Sequence, residues 1–334
     1  MVNMADSNSF EKENYENFTK NQIEQVMFIS HHKQWYDIWV KNFALNLNYI
    51  WNEPSAHELI PKNDFSDISS ALVIGRGPSL KKFDHLNVLS KSDYNGLIIC
   101  SDGILIDALK NGVTPEKFEN FYVVTIDAGE SIKNFYDHDV VRKFGNKIKG
   151  IFSTVTHPFT LENARNAGIK PYWLHTLFDH SEGKKSFNQI SAMMVRAKNH
   201  SNGLPAIQTG GNVGTSAWFV AWRILKCKKV GLIGIDHSWN ENDSWEKIVS
   251  HGNDTPNQVK IDPKSELSKR LFPKIYNPDF NCNCILDPIF QYYSLALKEF
   301  IHRSPEWLQT INATEGGCIF GDRITCMTLK SFLK

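Results

Sequence analysis

The chain has 334 residues and a formal net charge of +1, and 41% of its residues are hydrophobic and 22% charged. This ordinary globular composition allows one large domain or two smaller ones, and the near-zero charge argues against a nucleic-acid-binding protein, whose signature is a basic face. With scattered cysteines, no apolar signal segment at the start and no apolar stretch long enough to span a membrane, we expect a cytoplasmic protein.

Residues 1–68 are predicted to form an N-terminal helical extension. Apolar residues recur there at roughly helical spacing, and text rich in Asn, Pro and Ser between residues 52 and 67 then breaks the pattern. We expect this region to cap the main domain, and its hydrophobic helices could also form the interface of a homodimer.

Residues 70–240 alternate between apolar, strand-like runs and stretches typical of helices. This alternation predicts an α/β fold with a doubly wound, mostly parallel, Rossmann-like sheet. Runs such as 96–100 and 230–235 are apolar at consecutive positions, as in strands that are covered on both faces. The predicted strands are 71–74, 97–100, 121–126, 150–153, 171–174 and 229–235, and the predicted helices are 103–111, 131–144, 158–167 and 215–227.

The remainder of the chain begins with a polar segment, residues 240–285, that contains four prolines. A mobile insertion or lid is expected there. A helix is predicted over 288–303 from apolar residues at helical spacing, and a strand-like piece at 308–311 could add an edge to the sheet.

The most informative segment is the one in which the first apolar run ends in a turn. Glycines let another group approach the backbone closely, and a proline suits the first turn of a helix. Because free amides and the dipole at a helix start form an anion site, we expect the amides near Gly77 to bind a phosphate and Arg76 to neutralise it. The alternatives are a tight connection that binds nothing and an arginine paired with a surface carboxylate. The residues concerned are Gly75, Arg76, Gly77, Pro78 and Ser79.

Carboxylates follow three of the predicted strands, at Asp102, Asp127 and Asp236. In open α/β sheets, ligands lie outside the carboxyl ends of the strands. Carboxylates that converge there would coordinate Mg²⁺ or accept hydrogen bonds from a ribose. Alternatively, each aspartate caps the helix or turn that follows it.

A second glycine-rich element, residues 209–216, leads directly into a predicted helix. Its amides and hydroxyls could hold a second anionic or sugar-like group, or its glycines could only allow the helix to pack tightly on the sheet. The candidate nucleotide-binding residues of this element are Thr209, Gly210, Gly211, Asn212, Gly214 and Thr215.

The sequence around the glycine turns argues against three common kinds of site: a P-loop, an NAD-binding fingerprint and the nucleophile elbow of an α/β-hydrolase. No lysine follows the glycines at P-loop spacing, the third glycine of the dinucleotide fingerprint is missing, and no nucleophile-elbow pattern occurs.

Three histidines, His157, His237 and His251, lie at the expected active face. His251 or His237 could act as a general base on a hydroxyl acceptor, since imidazole titrates near neutrality. Asp236 is included with them as a candidate catalytic residue. The alternative for each loop histidine is simple exposure to solvent.

Taken in order, four motifs resemble the MptE-like Rossmann domain family. They are Gly-x-Gly-Pro-Ser-Leu at 75–80, Ser-Asp-Gly at 101–103, Thr-Gly-Gly-Asn-Val-Gly at 209–214 and Gly-Ile-Asp at 234–236. That family includes archaeal 6-hydroxymethyl-7,8-dihydropterin diphosphokinases and the Maf motility accessory factors, which are implicated in glycosylating flagellin with nonulosonic acids. The segment 311–317 looks like the one that closes the Maf-type domain, and the first and last motifs also occur in bacterial sialyltransferases that use CMP-sialic acid.

This resemblance, over about residues 70–320, implies that 69–334 is an MptE-like nucleotide-binding domain. It implies a nucleotide site over 75–80, closed by 209–216, with the three aspartates near the phosphates or the sugar. The leading hypothesis is a transferase that moves a sugar from a CMP-linked donor to a protein or small-molecule acceptor. The second is a Mg-ATP-dependent 6-hydroxymethyl-7,8-dihydropterin diphosphokinase whose Mg²⁺ ligands are Asp102, Asp127 and Asp236. The third is a non-catalytic nucleotide-binding protein.

Overall fold

The computed structural model describes residues 35–59, 70–177, 186–196, 203–251 and 262–334. Nine strands form one sheet in which every pair of neighbours is parallel. These strands are β1 Ser70–Ile74, β2 Leu97–Ser101, β3 Phe121–Thr125, β4 Lys149–Ser153, β5 Lys170–Leu177, β6 Ala206–Gln208, β7 Lys229–Ile233, β11 Gln309–Asn312 and β12 Ile324–Cys326. The predicted α/β fold with a parallel sheet is therefore confirmed.

Three further strands form a small antiparallel sheet in the order β8-β10-β9. They are β8 Trp239–Asn240, β9 Lys274–Asn277 and β10 Cys282–Ile285. The predicted insertion at 240–285 thus contains regular structure, and the part of it at 252–261 lies outside the described residues.

Helices cover both faces of the large sheet. The first helix, α1, spans residues 35–52. It is followed by α2 Ser79–Lys82, α3 His85–Ser90, α4 Leu105–Lys110, α5 Asp139–Phe144, α6 Pro158–Asn166 and α7 Phe187–Arg196. The others are α8 Val213–Phe219, α9 Trp245–Val249, α10 Glu266–Leu271, α11 Pro288–His302 and α12 Leu329–Phe332.

Three predicted helices differ from the structure. The helix predicted over 103–111 is a 3-10 helix, Asp102–Ile104, followed by α4. The helix predicted over 131–144 is a 3-10 helix, Glu130–Phe135, followed by α5. The helix predicted over 215–227 starts two residues earlier and continues from α8 into a π-helical turn at Val220–Ile224. Short-range spacing marks where a helix lies, but it does not distinguish the α, 3-10 and π forms.

Alternating residues of each strand enter two separate cores, as the period of two in a strand requires. From β1, Leu72 and Ile74 pack with α1 to α7 and α12, whereas Ala71 and Val73 pack with α8 and α11. The described part of the predicted N-terminal extension belongs to this packing, because Phe43 of α1 is buried in the first core.

The strand order is β12-β11-β7-β1-β2-β3-β4-β5-β6. From β1 the chain leaves toward α2 and α3 on the first face, and from β7 it leaves toward the small sheet and α11 on the second. The direction of winding therefore reverses between β1 and β7, which is where open α/β sheets place their ligands. The strand predicted at 308–311 is β11, and it is internal, because the unpredicted β12 lies outside it.

Candidate functional site

The two turns that follow β1 and β7 pack directly against each other at this reversal. The Gly75 amide donates a hydrogen bond to the Ile233 carbonyl (2.8 Å), and the Gly77 amide donates to the Gly234 carbonyl (2.7 Å). A Cβ atom on Gly75 would overlap the Gly234 carbonyl oxygen. The expectation that these two amides bind a phosphate is therefore corrected, since both already have partners within the protein.

Asp236 ties the two turns together. Its Oδ2 accepts a hydrogen bond from the Ser79 hydroxyl (2.8 Å), and the Ser79 amide also points at this carboxylate. A Cβ atom on Gly77 would overlap Asp236 Oδ2, so the glycine makes room for this contact. Burial raises the pKa of Asp236 to about 6. The carboxylate thus caps α2 behind the exposed Pro78, a helix far earlier in the chain and not the helix or turn that follows Asp236.

Arg76 is the member of the first turn that remains available to a ligand. Its side chain is exposed and makes no salt bridge within the described part of the chain. The guanidinium carbon lies 5.5 Å from the ring centroid of Phe135, and Cδ approaches the position that a Cβ on Gly103 would occupy. A cation held in this way is suited to pairing with a phosphate.

Asp102, next to this arginine, is buried and only partly satisfied. Asp102 is 4% exposed, and its Oδ1 accepts a hydrogen bond from the Gly103 amide at 2.7 Å. Oδ2 has no hydrogen-bond partner among the described residues. Burial raises the pKa of Asp102 to about 7, although the nearby Thr125 hydroxyl and Gly103 amide favour the ionised form. A buried carboxyl oxygen without a partner needs an explanation, and a candidate explanation at this strand end is a ligand hydroxyl or a cation.

Asp127 lies close enough to Asp102 for the two charges to oppose each other. It is exposed, and its Oδ1 accepts a hydrogen bond from the Gly129 amide at 2.8 Å. Asp236 is not part of this pair, since the charged side chain that affects its pKa is Lys82. The predicted three-carboxylate metal site is therefore not assembled, and no group of three acidic, His or Cys ligands occurs in the described ranges.

The second glycine-rich loop uses its polar side chains to shape itself. Asn212 caps α8 by accepting a hydrogen bond from the Thr215 amide (2.8 Å), and its Nδ2 donates to the Gly210 carbonyl (3.2 Å). The Gly211 amide donates to Thr209 Oγ1 (3.2 Å).

The two central glycines have positive φ angles, 55° at Gly210 and 82° at Gly211, and a Cβ on Gly211 would clash with the rings of Tyr292 and Tyr293. Gly214 packs on Ile235. The loop is thus held against α11.

His237 is less suited to act as a base than the sequence suggested. It has a positive φ of 44° and is 7% exposed, and its Nδ1 has no partner within the described part of the chain. Burial lowers the pKa of His237 to about 3, far from the near-neutral pKa of an effective base. His157 also has a structural role, because its Nδ1 accepts the Phe159 amide at the start of α6.

His251, in contrast, is oriented by a carboxylate. Its Nδ1 lies 2.5 Å from Asp287 Oδ2, and the side chains of His251 and Asp287 are 27% and 3% exposed. Asp287 Oδ2 also accepts the Trp239 indole N–H at 2.6 Å. A ring fixed on one nitrogen and open to solvent can accept a proton from a bound hydroxyl.

Asp287 was missed by the sequence analysis. An Asp-Pro pair before the helix predicted at 288–303 is a signal for a helix cap, and Asp287 does accept the Phe290 amide at 2.8 Å. Its second role could not be read in this way, because His251 is 36 residues away along the chain.

Aromatic residues of α11 contact both His237 and His251. The Phe290 ring lies 4.5 Å from that of His251 and 6.4 Å from that of His237. Tyr293 contacts His237 and the Gly211 position, and burial, with a smaller effect of the Asp127 charge, raises the pKa of Tyr293 to about 12. His237 and His251, the loop 209–216 and Asp127, which follows β3, therefore border one region at the carboxyl edge of the sheet.

A family model described as 6-hydroxymethylpterin diphosphokinase MptE-like matches residues 41–242. This confirms the resemblance drawn from the four motifs. The matched stretch includes Arg76, Asp102 and Asp127, and it ends before His251 and Asp287.

Among solved structures, the chain is similar to the Maf glycosyltransferase from Magnetospirillum magneticum AMB-1, with a TM-score of 0.57 and 14% sequence identity. The similarity covers 87% of this chain and 38% of that chain, so the present chain spans well under half of that protein's length. No curated protein matches the sequence. Within the ranges that the structure describes, no helix is long and apolar enough to cross a membrane.

Proposed function

Because the chain belongs to the 6-hydroxymethylpterin diphosphokinase MptE-like family, we propose that it is a nucleotide-dependent transferase that moves a sugar from a CMP-linked donor to an acceptor hydroxyl. The family and the shared fold with a Maf glycosyltransferase support a nucleotide-related transferase. The oriented His251–Asp287 pair carries the proposal further, since transfer to a hydroxyl needs a group that takes its proton.

The donor is proposed to bind at the ends of β1, β2 and β3. The Arg76 guanidinium would pair with the donor phosphate. The unpartnered Oδ2 of the buried Asp102 and the exposed carboxylate of Asp127 would accept hydrogen bonds from ribose hydroxyls, as carboxylates do in other doubly wound folds. The loop 209–216, which packs on the tyrosines of α11, would form the opposite wall.

In the proposed reaction, the bond between the anomeric carbon and the phosphate oxygen breaks, and CMP leaves with the electron pair. The acceptor oxygen bonds to the anomeric carbon, and its proton moves to His251 Nε2. His237 stays neutral and acts through packing, because burial keeps its pKa near 3.

A magnesium ion, if the reaction uses one, would be held by Asp102 Oδ2 and Asp127 together with donor phosphates. Two carboxylates plus substrate phosphates are a usual protein contribution to Mg²⁺ sites. The oxygen of Asp102 that lacks a hydrogen-bond partner among the described residues fits this role. The ion would supply neutralisation of phosphate charge.

A thermal-shift panel of nucleotides tests the donor assignment. CMP is expected to stabilise the protein, by about 2.7 kcal/mol at a concentration of 100 times Kd. Arg76→Ala should abolish most of this shift, whereas Lys110→Ala, an exposed lysine at the end of α4, should leave it unchanged. Stabilisation by ATP with Mg²⁺ and not by CMP would contradict the proposal.

Two further outcomes separate the alternatives. AMP formation that requires both Mg²⁺ and 6-hydroxymethyl-7,8-dihydropterin would identify the diphosphokinase that the family description names. Binding of CMP without sugar transfer to any hydroxyl acceptor, including water, would identify a non-catalytic nucleotide-binding protein.

A further inference from the structure

We propose that Asp287 is a positioning residue that holds His251 in the tautomer with its proton on Nδ1, leaving the lone pair of Nε2 free for the acceptor hydroxyl. The role of this lone pair depends on the proposed function, but the tautomer does not. Nothing in the family match addresses it, because the match ends at residue 242.

Both oxygens of Asp287 already act as acceptors. Oδ1 accepts the Phe290 amide at 2.8 Å, and Oδ2 accepts the Trp239 indole N–H at 2.6 Å. A backbone amide and an indole can only donate. The third contact, 2.5 Å from Oδ2 to His251 Nδ1, is therefore satisfied when Nδ1 carries the proton.

This contact determines the chemistry of the other ring nitrogen. A neutral imidazole has one N–H, so a proton on Nδ1 leaves Nε2 as an acceptor. Among the described residues, Nε2 has no hydrogen-bond partner, and the side chain is 27% exposed. The proton-accepting atom thus lies on the open side of the ring.

The surrounding rings restrict His251 to one orientation. The Trp239 ring meets it edge-on at 5.3 Å and 90°, and the Phe290 ring lies 4.5 Å away. These contacts come from β8 and α11, while His251 itself follows α9. A group held by three separate elements is better placed for catalysis than one on a free loop.

Capping of α11 does not by itself need this arrangement. Serine or asparagine would cap the helix equally well. Burying a charge is costly without compensation, and the Asp287 side chain is only 3% exposed. A carboxylate is therefore better explained here by its contacts with the Trp239 and His251 rings than by capping alone.

Nitrogen-15 NMR of histidine-labelled full-length protein tests the tautomer directly. The His251 signals are assigned by their absence from His251→Gln. In the neutral ring of the wild type, Nδ1 is expected to carry the proton. A wild-type ring protonated on Nε2 would overturn the proposal, whether or not any Asp287 variant folds.

Asp287→Asn is the decisive variant. With its amide oxygen still capping α11, its NH₂ group takes the place of Oδ2, so the Trp239 indole N–H loses its acceptor. The NH₂ group donates to His251 Nδ1, and the proton should therefore move to Nε2. We expect kcat to fall about 10²–10⁴-fold, with KM changed less than about threefold. An unchanged tautomer in a folded variant would refute the positioning role.

The matched control is Asp322→Asn. Asp322 Oδ2 lies 3.0 Å from His302 Nδ1 at the far end of α11, with both side chains mostly exposed. This change should leave both kcat and the His251 tautomer unaltered, and a loss equal to that of Asp287→Asn would refute the proposal.

A confirmed tautomer in a wild-type protein that transfers no sugar would contradict the proposed function alone. The two claims therefore fail separately.

Discussion

Gly77 is required by the packing of two turns. The sequence showed that a glycine turn follows the first strand, and the structure has it there. It could not show that the turn after β7 would supply a carbonyl and a carboxylate to that glycine, because those groups come from Gly234 and Asp236, far along the chain. The glycine correctly indicated that another group approaches the backbone closely at this turn. That group is the protein's own turn after β7 and not a phosphate.

We expect Gly77→Ala to destabilise the protein by about 1–3 kcal/mol, the usual cost of overpacking. Its Cβ would overlap Asp236 Oδ2 and lie 2.7 Å from the Gly234 carbonyl oxygen. Gly316→Ala is the control, because the nearest atom to its Cβ would be Cys282 Sγ at 4.0 Å. Urea unfolding at pH 7 measures both variants, and equal stability for the two would contradict the packing argument.

At the scale of elements, α1 holds the loops that follow β3 and β4 in place through side-chain hydrogen bonds. Asn42 Nδ2 donates to the carbonyls of Ala128 (3.1 Å) and Val155 (3.0 Å), and one turn later Asn46 Nδ2 donates to Thr154 (3.2 Å) and Thr156 (2.7 Å). The helix thereby fixes the loop that carries Asp127.

Asn42→Ala should cost about 1–3 kcal/mol, because two buried carbonyl oxygens lose their donor. It should also weaken CMP binding if the neighbouring Asp127 contacts the ribose. Asn52→Ala, at an exposed position of the same helix, should change neither quantity. Chemical denaturation and calorimetry provide the two measurements, and a stability loss shared by both variants would point to helix propensity instead of the buried bonds.

The elements that sequence predicts best are the long or strongly patterned ones. Consecutive apolar residues identified β2 and β7, and helical spacing identified α11. The edge strands β6 and β12 were missed because each has three residues, too few to show a pattern. The His251–Asp287 pair was half predicted, since a histidine is visible in sequence and its distant partner is not.

For the whole molecule, buried histidines couple folding to pH. Burial lowers the pKa of His237 to about 3 and also lowers the pKa of His85, a second buried histidine on the first face. Between pH 6.5 and about 3 the unfolded chain binds the His237 proton and the folded protein does not. The free energy of unfolding therefore falls as the pH is lowered through this range.

His237→Gln is expected to reduce this acid sensitivity. The wild type should lose about 1.6 kcal/mol through His237 between pH 6.5 and 5, as the slope rises toward about 1.4 kcal/mol per pH unit. The variant should lack that contribution, and the exposed His302→Gln should retain it. Denaturant unfolding at several pH values compares the slopes, and parallel curves for wild type and His237→Gln would disprove the coupling.

Adjacent pairing of β7 and β11 has an evolutionary consequence. The chain between these strands, with α9, α10, the small sheet and α11, leaves the large sheet and re-enters it at the next position. During evolution, this whole segment between β7 and β11 could be exchanged for another without changing the pairing of any two strands in the large sheet. Chimeras that graft the corresponding segment from a relative should thus acquire the acceptor preference of the graft.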